Sequence, residues 1–239
     1  MLFSMCNWGE DQVYEWAPDI AQMYRVQMDH LPFWHWPPTA MGAGYGAGTH
    51  DIINYMADLN PSKWVKKGAW MDPDFLETLY HVCSPGDRIC TTMDFPASRT
   101  EMAFWTLWSA PLLMATNPED MSDDKRAIIM NKEVLAVHND PLFVGGDRMY
   151  NATSGAQAWR KPLNNGDVAV ILYNSGETGQ STDVAVAWAD LQVVDWTADD
   201  TVTVRDLWAN EDIGDYSAGY STTVDPRDHV FLRLTKKMA

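Results

Sequence analysis

The chain has 239 residues, 46% of them hydrophobic and 21% charged, enough to bury a large core in one big domain or two smaller ones, which sets disorder aside. With 33 acidic against 17 basic residues the net charge is -16, a surface that repels phosphate backbones and anionic lipids, so neither nucleic acid nor membrane is expected as a partner. No stretch approaches the roughly 20 apolar residues that span a bilayer, and the first residues lack a basic n-region and cleavage site.

The first element is "LFSM" (Leu2 to Met5), which predicts a buried strand. It starts straight from Met1 with nothing to its left, as if the chain opened in the middle of a sheet. "EWAPDIAQMY" predicts a helix entered after Pro18, and a second strand ends near "YRVQMD". "HDIINYMADLN" is helical, with Ile52, Ile53 and Met56 on one face. "KKGAWM" predicts a third strand, "RTEMAFWTLWS" a helix striped by Met102, Phe104, Trp105 and Trp108, and "APLLMA" a fourth strand. "SDDKRAIIMN" is a helix with Ser122 as N-cap, and "MNKEVLAVH" a solvated helix end running into a buried stretch. Strand and helix in alternation argue for βα units on a parallel sheet.

Beyond about residue 140 the helical period is lost. "DVAVILYN", "TDVAVAWADL", "TVTVRDLW" and "HVFLRLT" are β-rich, and "NNGD" (Asn164 to Asp167) is a hairpin signal. This part predicts a separate antiparallel domain of β-sandwich size. The boundary is expected in "NDPLFVGGDR", giving domains 1–143 and 144–239.

Acidic residues gather at the predicted strand ends. Asp29 follows "YRVQM", four residues after Arg25, and Asp72 and Asp74 follow "GAW". In a parallel barrel the working face is the carboxyl end of the strands. Trp8, Trp34, Trp36 and Trp70 accompany these carboxylates, a composition suited to sugar rings. Glycosidic cleavage needs one carboxylic acid to protonate the leaving oxygen and a second carboxylate as nucleophile or base. Each Asp alone also reads as a helix cap or loop acceptor, and Asp72-Pro73 as a helix start. Cys83 and Cys90 frame the turn-rich "CSPGDRIC" and could bridge, which leaves Cys6 alone. No His/Cys spacing suggests a metal, and no cofactor is expected. "NAT" at Asn151 is a glycosylation sequon that matters in a secretory pathway.

"SMCNWG", "MYRVQMD", "GAWMDPDFL", "LWSAPLLMA", "MNKEVLAVHNDPL" and "AWRKPLNNGDVAVILYN" fall in an order and spacing that resemble the α-galactosidases of glycoside hydrolase family 27. The resemblance implies the C-terminal half of a (β/α)₈ TIM barrel followed by an antiparallel β-sandwich domain, with "MLFSMCNWG" as the fifth barrel strand and the first four strands outside the chain. It implies an exo-acting, retaining hydrolase of terminal α-linked galactose, secreted, lysosomal or vacuolar, with a homodimer expected of the full-length parent. Asp29 falls at the family's acid/base and Arg25 at the arginine beside it. Cys6, Trp8, Asp74 and Phe75 fall at pocket positions, with Tyr24 replacing an aromatic-wall Trp. Asn7 falls where a residue selects between a 2-hydroxyl and a 2-acetamido group, so α-N-acetylgalactosaminidase is the neighbouring reading and a non-catalytic carbohydrate-binding remnant another. The family's nucleophile lies in a K-x-D motif that this chain lacks, so the isolated chain is expected to be inactive. "ETLYHVCSPGDRICTTMDFPASRTE" exceeds the usual loop after D-P-D and reads as a surface excursion.

Overall fold

The computed structural model describes residues 1–35, 46–77, 81, 83–86 and 90–238. Trp36 therefore lies outside the described residues.

The first part is built on parallel strands. β1 (Ser4–Met5), β2 (Met23–Arg25) and β5 (Trp70–Asp72) pair in the order β1-β2-β5, with Met5 opposite Tyr24 and Arg25 opposite Asp72. A parallel bridge between Leu76 and Met114 continues this layer. β3 (Asp29–His30) and β4 (Gly46–Ala47) form a small parallel pair beside it.

Three expectations need correction here. "LFSM" is not buried among the described residues: β1 pairs there with β2, and Leu2 and Phe3 are exposed. The helix near Pro18 precedes it, as α1 (Val13–Trp16) running into a 3-10 turn at Ala17–Asp19, because Pro is tolerated in a first turn but not in a helix interior. "APLLMA" forms the single bridge at Met114, with Leu76 N–H donating to Leu113 O at 2.7 Å, not a full strand.

The helices follow their patterns more closely. α2 (Thr49–Leu59) buries Ile52, Ile53 and Met56, and Asp51 Oδ2 turns back to accept from Gly48 N–H at 2.8 Å. α3 (Phe95–Leu107) is capped by Asp94, which accepts from Ala97 N–H at 3.0 Å. It is buried on every side over most of its length, not along a stripe. α4 (Asp123–Ile129) has Ser122 as its cap, and α5 (Lys132–His138) has Asn131.

The second part is antiparallel. β6 (Asp147–Asn151), β7 (Ala156–Pro162), β8 (Val168–Asn174), β10 (Thr201–Asp206), β11 (Glu211–Ser217) and β13 (His229–Lys236) form one sheet in the order β11-β10-β13-β8-β7-β6. β9 (Thr182–Ala187) and β12 (Gly219–Val224) form a two-stranded layer against it. The β7–β8 turn is the expected one: Gly166 takes φ 86° and Leu163 N–H donates to Asp167 O at 2.9 Å. β6, β11 and β12 went unread because their exposed residues break the apolar pattern, and β7, buried along most of its length, because Gln157, Arg160 and Lys161 interrupt its apolar run.

Strand alternation explains why α3 is buried all round. On β8, Val168, Val170 and Leu172 face the β9–β12 layer, while Ala169, Ile171 and Tyr173 join the core that holds α3. Phe104 meets Trp159 edge-on at 5.0 Å and Tyr173 at 5.3 Å. The same seam holds Lys161, fully buried, its ammonium donating to Ser109 Oγ and Val137 O at 2.7 Å each. Burial pushes that ammonium down to about 7. Cys83 and Cys90 are bonded, and Cys6 is a free, exposed thiol.

Candidate active site

Three parallel strands deliver their following residues to one rim. β1 ends at Met5 and leads to Cys6 and Trp8; β2 ends at Arg25 and leads to Asp29; β5 ends at Asp72 and leads to Asp74 and Phe75. Parallel pairing requires all three carboxyl ends to lie on the same side of the sheet, so all six site residues expected from sequence share that side.

The local backbone is held at unusual angles. Trp8 has φ 62° and Asp74 φ 88°, the left-handed region that ordinary residues avoid. Gly9 follows Trp8 at φ 83°, and its N–H donates to Arg25 O at 3.3 Å. A side chain at Gly9 would lie 2.3 Å from Val26 O, so only glycine fits. Asp74 is held by three hydrogen bonds. Its N–H donates to Asp72 Oδ1 at 2.8 Å, its Oδ2 accepts from His30 N–H at 2.8 Å, and its carbonyl accepts from Trp105 Nε1 at 2.7 Å.

Arg25 joins the strands. Its Nη2 lies 2.7 Å from Asp74 Oδ2 and 3.2 Å from Asp29 Oδ1. The Asp29 side chain is 51% exposed, whereas that of Asp74 is only 5% exposed. One carboxylate is thus built into the fold and the other presented to solvent by the same guanidinium. Phe75 is exposed beside them, Trp8 is half-buried, and Asn7 Oδ1 is buried without a donor.

Several neighbours were not read from the sequence. His30 follows Asp29 and is buried. Its Nδ1 lies 2.8 Å from Phe75 O, which requires a proton on that nitrogen; Nε2 lies 3.0 Å from Thr49 Oγ1. Glu101 of α3 is buried 3.5 Å from His30 Nδ1 and accepts from Glu77 N–H at 3.0 Å. Burial holds His30 down near 4, so the ring is neutral. Burial raises Asp72 to about 6, opposed by the Asp74 N–H and by Arg25. Burial, with the negative charges of Glu101, Asp74 and Asp29, raises Glu77 to about 8. His30 and Glu101 carry no local motif; only the pairing of α3 with the rim brings them together.

Other expected aromatics have structural places. Tyr24 is fully buried, its hydroxyl donating to Trp64 O at 3.1 Å; it points away from Arg25 by strand alternation and is no pocket wall. Trp34 is buried 5.5 Å from the His50 ring. A cavity of about 1030 Å³ lies at the end of the β domain between Asn165, Trp196 and Lys236 and holds none of the rim residues. Among the described residues no cluster of three His, Cys, Asp or Glu side chains could hold a metal ion.

Comparison with known proteins agrees with this architecture. A family model described as "Alpha galactosidase A" matches residues 46–140, and one described as "Alpha galactosidase C-terminal beta sandwich domain" matches 153–234. The chain is 30% identical over 225 residues to the alpha-galactosidase of Cyamopsis tetragonoloba, covering 94% of this chain and 47% of that one. It is 27% identical over 241 residues to alpha-galactosidase 2 of Arabidopsis thaliana, covering 100% and 53%. The crystal structure of alpha-galactosidase I from Mortierella vinacea superposes with a TM-score of 0.84 at 25% identity, covering 98% of this chain and 58% of that one. The chain spans about half the length of the curated relatives it matches. With half-barrel strands, a β sandwich behind them and relatives along its whole length, the chain belongs to the α-galactosidases of glycoside hydrolase family 27.

Proposed function

We propose that this chain carries the acid/base side of a retaining exo-α-galactosidase site, with residues 1–143 as the catalytic portion and 144–239 as the β domain behind it. The observation that carries the reading is the Arg25 clamp, which joins the exposed Asp29 to the buried Asp74 at the carboxyl rim of parallel strands.

In this reading Asp29, protonated, donates to the oxygen of the leaving group, and once the galactosyl group has been taken by a nucleophile the same carboxylate draws a proton from water. Arg25 orients Asp29 and stabilises its charged form between the two steps. Phe75 and Trp8 offer apolar surface to the sugar ring, and Cys6 lines the same rim. Neither Asp72 nor Asp74 is free to be the nucleophile. Both are buried, and both carboxylates are spent on Asp74 N–H, Arg25 and His30 N–H. A second carboxylate must therefore be brought to the rim, and the 239 residues alone are expected not to turn over.

The test joins this chain to the portion of the Mortierella vinacea enzyme that it does not cover. The chimera is expected to hydrolyse p-nitrophenyl α-galactoside faster than the α-N-acetylgalactosaminide. A reversed preference would give the site to the 2-acetamido sugar. Folded chimera with galactose binding and no turnover would support a non-catalytic remnant.

A further inference from the structure

The sequence holds two Asn-x-Ser/Thr triplets, Asn60-Pro61-Ser62 and Asn151-Ala152-Thr153. The first is excluded by its proline, which such acceptors do not tolerate. The fold closes it as well: Asn60 Nδ2 donates to Asp58 O, while Ser62 gives its N–H and hydroxyl to Asp147.

The second triplet is placed differently. Asn151 ends β6, one of the two edge strands of the six-stranded sheet, and Asn151, Ala152, Thr153 and Ser154 are all exposed. The chain then turns tightly: Ala152 N–H donates to Ala156 O at 2.9 Å, Gly155 N–H donates to Ala152 O at 3.0 Å, and Gly155 takes φ 89°. The turn throws Thr153 clear of the sheet. Among the described residues no hydrogen bond engages the Asn151 side-chain amide or the Thr153 hydroxyl, the two groups that acceptor recognition uses. Edge strands carry unpaired backbone that invites pairing with other chains, and a hydrated bulk at the end of β6 would block such pairing.

A second, independent feature bears on where the chain folds. Cys83 and Cys90 are joined, and disulfides of this kind form and persist where the surroundings are oxidising. N-linked oligosaccharides are added in such a compartment.

We propose that Asn151 is an N-glycosylation site, the acceptor of one oligosaccharide delivered on a polyprenyl diphosphate. The Asn151 side-chain nitrogen forms a bond to the anomeric carbon of the oligosaccharide and gives up a proton. The bond from that carbon to the diphosphate oxygen breaks, and the polyprenyl diphosphate leaves with the electron pair. No oxidant or reductant takes part. The site lies on the β domain, at the exposed end of β6.

The experiment is translation of the full chain, behind a cleavable signal peptide, in the presence of glycosylation-competent microsomes. The protease-protected product is expected to carry one glycan, removed by peptide N-glycosidase, and to lose it in both Asn151→Gln and Thr153→Ala but keep it in Thr153→Ser and Asn60→Gln. Melting of Asn151→Gln is expected to match the unglycosylated parent, since the side chain makes no bond in the fold. Protease-protected chain without a glycan, or a glycan that survives Asn151→Gln, would overturn the proposal.

Discussion

Arg25 and Asp74 lie 2.7 Å apart across neighbouring parallel strands, and both are buried. The pair shapes the rim, because Asp74 sits at φ 88° and also holds His30 N–H. Removing one partner leaves the other charge buried and alone, which costs about 3–5 kcal/mol. Arg25→Met is therefore expected to lower unfolding stability by about that amount in urea titration. Arg25→Lys should recover only part of it, since an ammonium is more strongly hydrated than a guanidinium and costs more to bury.

Glu77 gives the rim a pH dependence. Its carboxyl is raised to about 8, so between its ordinary value near 4.5 and about 8 the folded state holds a proton that the unfolded state has lost. Stability then falls as pH rises through that window. Glu77→Gln, neutral at every pH, is expected to match the parent near pH 4.5 and to exceed it above pH 8. The gain is about 1–2 kcal/mol after allowance for solvent screening of a partly exposed group. Equal slopes for the two proteins in denaturation at stepped pH would refute this.

Lys161 works in the opposite sense. Its folded value of about 7 lies below the ordinary 10.5, so between these limits the unfolded chain binds the extra proton and stability rises with pH. Lys161→Met should flatten that limb. It should also cost about 1–3 kcal/mol, because the Val137 carbonyl loses its buried donor.

The Cys83–Cys90 bond closes a short loop beside the rim, ahead of α3. Loop-closure entropy for that length gives about 2–3 kcal/mol. Reduction, or Cys83→Ser with Cys90→Ser, is expected to lower the melting temperature, while leaving the β domain's circular dichroism unchanged.

How far the sequence led is clear from particular residues. Alternating βα texture, the Asn164–Asp167 turn and the Ser122 cap follow from local chemistry, and each was legible. Arg25 and Asp29 share a rim because they lie four residues apart across one strand end, which is also local. Tyr24 was misplaced because alternation on a three-residue strand decides its face, and composition does not. The burial of α3 on all sides comes from the inward face of β8, which is a tertiary fact. The His30–Thr49–Glu101 cluster joins three distant segments and left no trace in spacing.

The most direct measurement is turnover of p-nitrophenyl α-galactoside by the chimera with and without Asp29→Asn, with circular dichroism to show that both fold. Asp29 is half exposed, so the fold should be indifferent to the change, while loss of the general acid should cut kcat/KM at least about a hundredfold. A folded Asp29→Asn chimera that turns over as fast as its parent would contradict the account.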